Sequence, residues 1–350
     1  MTLASRLYGR VALFRRAWYE RHPGRVRRLS RPVISVGNLT VGGSGKTPIV
    51  AALAQLLIDQ GERPAILSRG YGRRGASDGV LVVSDGGQVL VGTEQSGDEP
   101  QLLARALPGV AVVVGSDRYL AGTLAERRFG CTVHLLDDGF QHVQLARTVD
   151  LLAVSRADLQ EHVLPAGRLR EPTAAAARAH AILVTGDDAD AGIVSDTLRP
   201  ATMFRVVVHH GEARLVHPFG EPLPAPPVRR VVALAAIAKP ERFFAAARAQ
   251  GWDVAREFTF RDHHWFTSRD LDAIAKAAGE TGAPLVMTTE KDAMRLLPEV
   301  VGRGVTPRQA GRLPLEVPRG EGPPYAFLPM HVTIEPADRF AAWLQERLAS

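Results

Sequence analysis

A short apolar run, Arg31-Pro32-Val33-Ile34-Ser35-Val36-Gly37-Asn38, leads into Thr40-Val41-Gly42-Gly43-Ser44-Gly45-Lys46-Thr47, and a helical pattern follows from Pro48 to about Gln60. Strand, glycine loop, Gly-Lys-Thr and helix, in that order, are the context of a phosphate-binding loop. The glycines let backbone N–H groups curl around phosphate oxygens at a helix N-terminus. In this reading Thr40, Val41, Gly42, Gly43, Ser44 and Gly45 form the cradle of an ATP site. Lys46 then reaches the β- and γ-phosphates, and Thr47 offers its hydroxyl to Mg²⁺. Thr40 stands where the strict pattern has glycine, so Gly42 and Gly43 must supply the turn. A glycine-rich surface turn is the competing reading. Lysine is scarce here, occurring only as Lys46, Lys239, Lys276 and Lys291, which favours a purpose for Lys46.

A phosphate loop of this kind needs a carboxylate at the end of a second buried strand. Thr132-Val133-His134-Leu135-Leu136 ends in Asp137-Asp138-Gly139, which supplies it; an Asp-Gly turn with solvated acids is the bland alternative. Ligands sit at the C-terminal edge of a parallel sheet, so Asp137 and Asp138 are expected to face the loop. Strands at 64–68, 80–84, 110–114, 149–154 and 181–185 alternate with helices at 98–107 and 117–128. That alternation predicts an α/β fold: a doubly wound, mostly parallel sheet of the P-loop NTPase kind. Pro218, Pro222, Pro224, Pro226 and Pro227 make a stiff stretch. After it, strands at 230–237, 254–259 and 284–288 alternate with helices at 240–250, 268–279 and 290–297, a second, smaller α/β domain. The expected domains are an N-terminal amphipathic helix over 1–30, a P-loop kinase domain over 31–200, a linker over 201–228, the smaller domain over 229–335 and a C-terminal helix over 336–350. Residues 301–325, rich in Gly, Pro and Arg, read as a flexible insertion.

Charge is local. The 350 residues carry a net +6, yet residues 1–31 alone hold nine arginines against Glu20, leaving the remainder slightly acidic. A general nucleic-acid coat is a poor fit to that distribution. With 45% hydrophobic and 23% charged residues the chain is globular in composition, and its single cysteine, Cys131, excludes an internal disulfide framework and favours a reducing, cytosolic context. The longest apolar run, Val231 to Ala238, is far shorter than the ~20 residues a spanning helix needs. Leu3, Leu7, Val11, Phe14 and Trp18 recur at helical spacing, flanked by Arg6, Arg10, Arg15, Arg16 and Arg21. Three readings fit this segment: a basic amphipathic helix on an anionic bilayer, a helix whose stripe packs on its own domain, or an RNA-binding arm.

Further polar stretches sit at the ends of expected strands. Ser68-Arg69-Gly70-Tyr71-Gly72-Arg73 follows the second strand; Gly97-Asp98-Glu99-Pro100 opens a helix, with Asp98 equally readable as its cap or as a catalytic acid. Arg118 follows Gly115-Ser116-Asp117, Gln141-His142 extends the acidic pair, and Pro165-Ala166-Gly167-Arg168-Leu169-Arg170-Glu171 is a loop with two arginines and an acid. So many charged loops on one edge suit a polyanionic substrate beside the nucleotide. In Phe260-Arg261-Asp262-His263-His264 the histidines could pair on a metal, move a proton or be structural.

These stretches, together with Val36 to Pro48 and Thr289-Glu290-Lys291-Asp292-Ala293, run in order through nearly the whole chain. Together they resemble the tetraacyldisaccharide 4′-kinase family, the lipid A kinases, whose phosphate loop also carries threonine at the Thr40 position. The resemblance implies transfer of the ATP γ-phosphate to the 4′-hydroxyl of a tetraacylated glucosamine disaccharide 1-phosphate, giving lipid IVA. It places Ser44, Lys46 and Thr47 on ATP and Mg²⁺, with Asp138 and Glu171 near the metal. It pairs Asp98 with the histidine of the Asp-His-His stretch, assigned to His263, for deprotonation of the sugar hydroxyl. Arg69, Tyr71, Arg73, Arg118, Asp137, His142, Arg168 and Arg170 are the expected acceptor-binding residues. Ala236, where glycine is expected before Ile237, and the 301–325 stretch depart from the pattern. A lipid acceptor favours the bilayer reading of residues 1–24 and a peripheral place at the cytoplasmic face of the inner membrane; a monomer with no nucleic-acid partner is the further expectation. A P-loop ATPase acting as a regulatory switch is the alternative function.

Overall fold

The computed structural model describes residues 2–43, 45–74, 79–226, 228–302 and 322–349, in two compact units. The first comprises Met1–His209 and His331–Ser350. It opens with helix α1 (Leu3–Arg21), and its sheet is built from β1 (Val33–Asn38), β2 (Pro64–Ser68), β3 (Leu81–Asp85), β4 (Ala111–Val114), β5 (Val133–Asp137), β6 (Val149–Ser155), β7 (Ala181–Thr185) and β8 (Met203–His210). The order across the sheet is β8-β7-β6-β1-β5-β2-β4-β3. β1 pairs in parallel with β5 on one side and β6 on the other, whereas β3 pairs antiparallel with β4 at the edge. Strands buried on both faces need no hydrophobic alternation, which is why β1, β5 and β6 read as nearly continuous apolar runs. Helices α2 (Lys46–Asp59), α3 (Thr93–Ser96), α4 (Asp98–Ala106), α5 (Arg118–Phe129), α6 (Arg156–Leu159) and α7 (Asp188–Leu198) connect the strands. The core under α2 joins Ile49, Leu53 and Leu57 to Ile34, Val36, Leu135 and Leu151.

The second unit, His210–Met330, has a sheet of β9 (Arg214–Leu215), β10 (Arg230–Ala235), β11 (Asp253–Thr259), β12 (Leu285–Thr289) and β13 (Tyr325–Leu328) in the order β11-β10-β12-β13-β9. Helices α8 (Pro240–Ala249), α9 (Ser268–Thr281) and α10 (Glu290–Gly302) accompany it. The chain then returns to the first unit as β14 (Met330–Glu335), beside β8, and α11 (Ala337–Ala349).

Several boundaries differ from the sequence expectation. The segment expected as a linker from 201 begins with β8, a full strand of the first sheet, because Phe204 and Val206 are buried in that unit's core. Val332, Ile334, Phe340 and Leu344 join the same core, so β14 and α11 belong to the first unit. Phe340 meets Phe204 edge-on at 5.0 Å, a contact between residues 136 positions apart that no local pattern encodes. α7 lies where the sequence expectation has no helix, and Thr173–Arg178 forms a 3-10 segment. Most of the expected insertion, 303–321, lies outside the described residues.

Candidate functional site: a phosphate loop backed by a buried arginine network

Gly45 precedes α2 at φ 73°, ψ 21°, a left-handed conformation that glycine adopts without steric cost. Gly45, at the N-cap, has no side chain to cap α2 and no acid sits in the first turn, so the N-terminal amides of the helix are available to an anion at the loop. Lys46 opens the helix. Its Nζ donates to Asn38 Oδ1 at 2.9 Å and stands 3.3 Å from Asp138 Oδ1. Ser44 lies outside the described residues.

Asp138 has φ 55° and follows the last residue of β5. Arg170 holds its carboxylate with two hydrogen bonds, Nη1 to Oδ2 at 2.8 Å and Nη2 to Oδ1 at 2.7 Å. Burial alone would raise the Asp138 carboxyl, but the Arg170 hydrogen bonds and the charges of Lys46 and Arg170 hold it well below the usual carboxylate range. Asp137, buried at the end of β5, is pushed the other way, up to about 7, by burial and by Glu99 and Asp138 nearby. The two adjacent aspartates are thus pushed in opposite directions: Arg170 hydrogen-bonds Asp138, whereas burial dominates at Asp137.

The 165–171 loop is tied to the phosphate loop by backbone. Val41 N donates to the Arg168 carbonyl at 2.8 Å, Arg170 N donates to the Leu39 carbonyl at 2.6 Å, and Thr40 bridges to Leu169. Arg168, expected on the acceptor, donates from Nε and Nη2 to the Val41 carbonyl of the phosphate loop. Glu171, expected beside a metal, has both carboxylate oxygens on buried Arg16 of α1. Thr47, in the first turn of α2, and Asp138 are oxygen donors of the kind Mg²⁺ takes, and that ion usually keeps few protein ligands. Among the described residues no cluster of three or more His, Cys, Asp or Glu is arranged to hold a metal.

Gly70 and Gly97 bring two further motifs together. A Cβ on Gly97, which has φ 89°, would lie 2.7 Å from the Tyr71 carbonyl, and one on Gly70 would lie 2.9 Å from the Ser96 carbonyl. This close approach packs the Arg69–Arg73 loop against the start of α4. Arg69 and Tyr71 are exposed there, Arg73 is half-buried, and Asp98 is buried at the first position of α4. The cap position belongs to Gly97, and Asp98 Oδ1 accepts from Glu99 N at 2.9 Å. Arg118 is buried, donates to the Ser116 carbonyl at 3.0 Å, and is lowered to about 10 by burial and by Arg69, with Asp138 and Asp137 opposing. His142, lowered to about 4 by burial, lines a cleft of about 390 Å³ with Arg25, Arg27 and Asp117.

In the second unit the two histidines part company. His264 Nε2 pairs with Asp270 Oδ2 at 3.0 Å, within the capping box of α9, a structural duty. His263, at φ 61°, has Lys291 Nζ 3.2 Å from its Nε2 and Asp262 Oδ1 3.9 Å away. Its backbone N–H donates to the carbonyl of Ala236, a residue whose N–H donates to buried Asp292 and whose carbonyl also accepts from buried Arg295. Asn38 and Lys291 lie inside motif stretches of the sequence without having been given a role there, and Arg16 reads in the sequence as one more base beside the α1 stripe.

Comparison with known proteins agrees with this geometry. The chain matches the family described as tetraacyldisaccharide-1-P 4′-kinase over residues 1–348. It is 43% identical over 289 residues to the tetraacyldisaccharide 4′-kinase of Geobacter metallireducens, covering 80% of this chain and 83% of that protein. With the corresponding protein of Koribacter versatilis it shares 39% over 323 residues, 91% and 94% of the two chains. A crystal structure of LpxK from Aquifex aeolicus in complex with ATP superposes with a TM-score of 0.75 at 31% identity, over 98% of this chain and 97% of that one. With the phosphate loop, its arginine-held aspartate and this coverage in agreement, the chain belongs to the tetraacyldisaccharide-1-P 4′-kinase family.

Proposed function

We propose that the protein transfers the γ-phosphate of ATP to the 4′-hydroxyl of tetraacyldisaccharide 1-phosphate, a step of lipid A biosynthesis. The observation that carries the reading is the convergence of Lys46, Asp138 and Arg170 at the uncapped N-terminus of α2, in a chain of this family. Backbone N–H groups of the loop and α2 bind the phosphate oxygens, and Lys46 stabilises the charge that develops as the bond between the β,γ-bridging oxygen and the γ-phosphorus breaks. The acceptor O–H loses its proton as the new O–P bond forms, and ADP departs with the bridging oxygen. Mg²⁺, assigned to Thr47 and Asp138, would neutralise β- and γ-phosphate charge when bound. Asp98 and His263 are assigned to the hydroxyl proton, each within its own unit. Arg69, Tyr71, Arg73, Arg118, Asp137 and His142 are assigned to the acceptor.

The membrane assignment rests on α1. Its buried face is small and polar, Ser5, Gly9 and Arg16, while Leu3, Leu7, Val11 and Phe14 are 83%, 63%, 58% and 65% exposed. These four stripe residues therefore do not pack on their own domain, whereas Trp18, the fifth, is half-buried and stacks on His22. Ringed by arginines, the exposed stripe suits an anionic bilayer surface, here the cytoplasmic face of the inner membrane, with the protein as a peripheral monomer. Among the described residues no helix is long and apolar enough to cross a membrane. The test is turnover with ATP, Mg²⁺ and the purified disaccharide acceptor. Acceptor-dependent product is expected, with kcat lost far more than ATP affinity in Asp98→Ala and in His263→Ala; ATP hydrolysis indifferent to acceptor would point to a regulatory ATPase instead.

A further inference from the structure

Helix α1 does more in this fold than carry an exposed apolar stripe. Its opposite face is seated on the 163–172 loop. Ala166 N donates to Ser5 Oγ at 3.2 Å, and a Cβ on Gly9 would lie 3.3 Å from Pro172 Cγ and 3.7 Å from Val163 Cγ1. At the end of that face Arg16, only 4% exposed, donates Nε to Glu171 Oε2 at 3.0 Å and Nη2 to Glu171 Oε1 at 2.9 Å. The same Nη2 donates to the Phe140 carbonyl at 2.8 Å, and the guanidinium lies 4.3 Å from the centre of the Phe140 ring. Both partners adjoin the phosphate site: Phe140 lies two residues after Asp138, and Glu171 directly follows Arg170.

The geometry points to Arg16 as a positioning residue for phosphoryl transfer: by neutralising buried Glu171 and holding the Phe140 carbonyl, it leaves Arg170 free to grip Asp138. A carboxylate with a relative exposure of 5% is costly to leave without a partner. Two other arginines feel the Glu171 charge, and both are already employed, Arg170 on Asp138 and Arg147 on Asp150. Without Arg16, Glu171 would draw Arg170 away from Asp138, releasing the carboxylate that faces Lys46. Glu171 accordingly serves as the anchor of α1 rather than as a ligand of Mg²⁺. α1 belongs to the working site even where no membrane is present.

The inference rests on the kinase reading, so the experiment separates the two. The full chain is assayed in detergent micelles with ATP, Mg²⁺ and the disaccharide acceptor, alongside binding of a fluorescent ATP analogue, thermal unfolding and sedimentation with anionic phospholipid vesicles. Arg16→Met should lower kcat at least tenfold per folded molecule while vesicle binding stays within twofold. Adding Glu171→Gln to that chain removes the orphan carboxylate and should recover at least threefold of the loss, which a merely structural pair would not show in kcat. Arg16→Lys, which keeps the charge without the three-point hold, should fall between and serves if the Met variant fails to fold. Unchanged kcat in both Arg16 variants, or a double variant no better than Arg16→Met, overturns the positioning role. A tenfold higher Mg²⁺ requirement in Glu171→Gln alone, with no rescue, returns Glu171 to the metal. Wild-type protein without acceptor-dependent turnover instead defeats the kinase reading and leaves the micelle-independent measurements to judge the ion pair: equal nucleotide affinity in Arg16→Met and wild type would then refute it.

Discussion

Lys46 Nζ stands 3.3 Å from Asp138 Oδ1 while Arg170 holds both oxygens of the same carboxylate. Two cations on one carboxylate, at the N-terminus of a helix with no side-chain cap, leave a net positive face where phosphate oxygens would lie. The carboxylate keeps the lysine in place before nucleotide arrives.

Lys46→Ala should lower kcat for phosphoryl transfer by about 100-fold or more, the scale of losing one preorganised donor to developing charge. Arg170 and the loop amides remain, so ATP should still bind. Single-turnover transfer with an equilibrium nucleotide titration checks this; full turnover in the variant would sink the site.

Asp137 carries a pH signature. Its folded carboxyl is pushed up to about 7 by burial, whereas an unfolded aspartate ionises near ~4. Between those values the folded chain holds a proton that the unfolded chain lacks, so Asp137 makes stability fall as pH rises through this window and level off above it. Asp137→Asn removes the loss. Urea midpoints measured across the window should show the variant gaining on wild type as pH rises; a gap independent of pH refutes the assignment.

Gly97→Ala combines a positive φ with a Cβ 2.7 Å from the Tyr71 carbonyl. It should destabilise by about 1–3 kcal/mol and shift Asp98, lowering kcat beyond the loss of folded protein. Thermal unfolding alongside kcat per folded molecule is the check, and an alanine variant that unfolds like wild type would show that the two loops do not pack so closely.

Leu7→Asn and Phe14→Asn in one chain should weaken binding to anionic vesicles. Burying each apolar side chain is worth about 1.5–3 kcal/mol, so the pair predicts a loss of roughly 100-fold or more. Vesicle sedimentation at low and high salt measures it, and added salt should weaken wild-type binding through the arginines. Binding indifferent to both changes would remove the bilayer from the account of α1.

The phosphate loop was legible because Val33 to Thr47 combines an apolar run, glycines and a lysine at local spacing, and local spacing survives folding. The Asp137-Asp138 pair was legible for the same reason. The different tasks of the two aspartates were not, since Arg170 lies 32 residues away in sequence. Nor was the company of Glu171: its partner, Arg16, is 155 positions off and read as one more base beside an amphipathic stripe. His263 and His264 are adjacent and chemically identical in sequence, and only the packing of Asp270 against one and Lys291 near the other tells them apart.

By itself, the sequence determined the parallel α/β architecture, the phosphate loop and the kinase family, because strand and helix periods and glycine loops are short-range properties of the chain. Tertiary structure alone decided that β14 and α11 belong to the first unit, that α1 turns Leu3, Leu7, Val11 and Phe14 outward, and which carboxylate receives which arginine. These are long-range choices. They are settled by burial and by the cost of leaving a charge unpaired away from water, neither of which a residue carries in its neighbours along the chain.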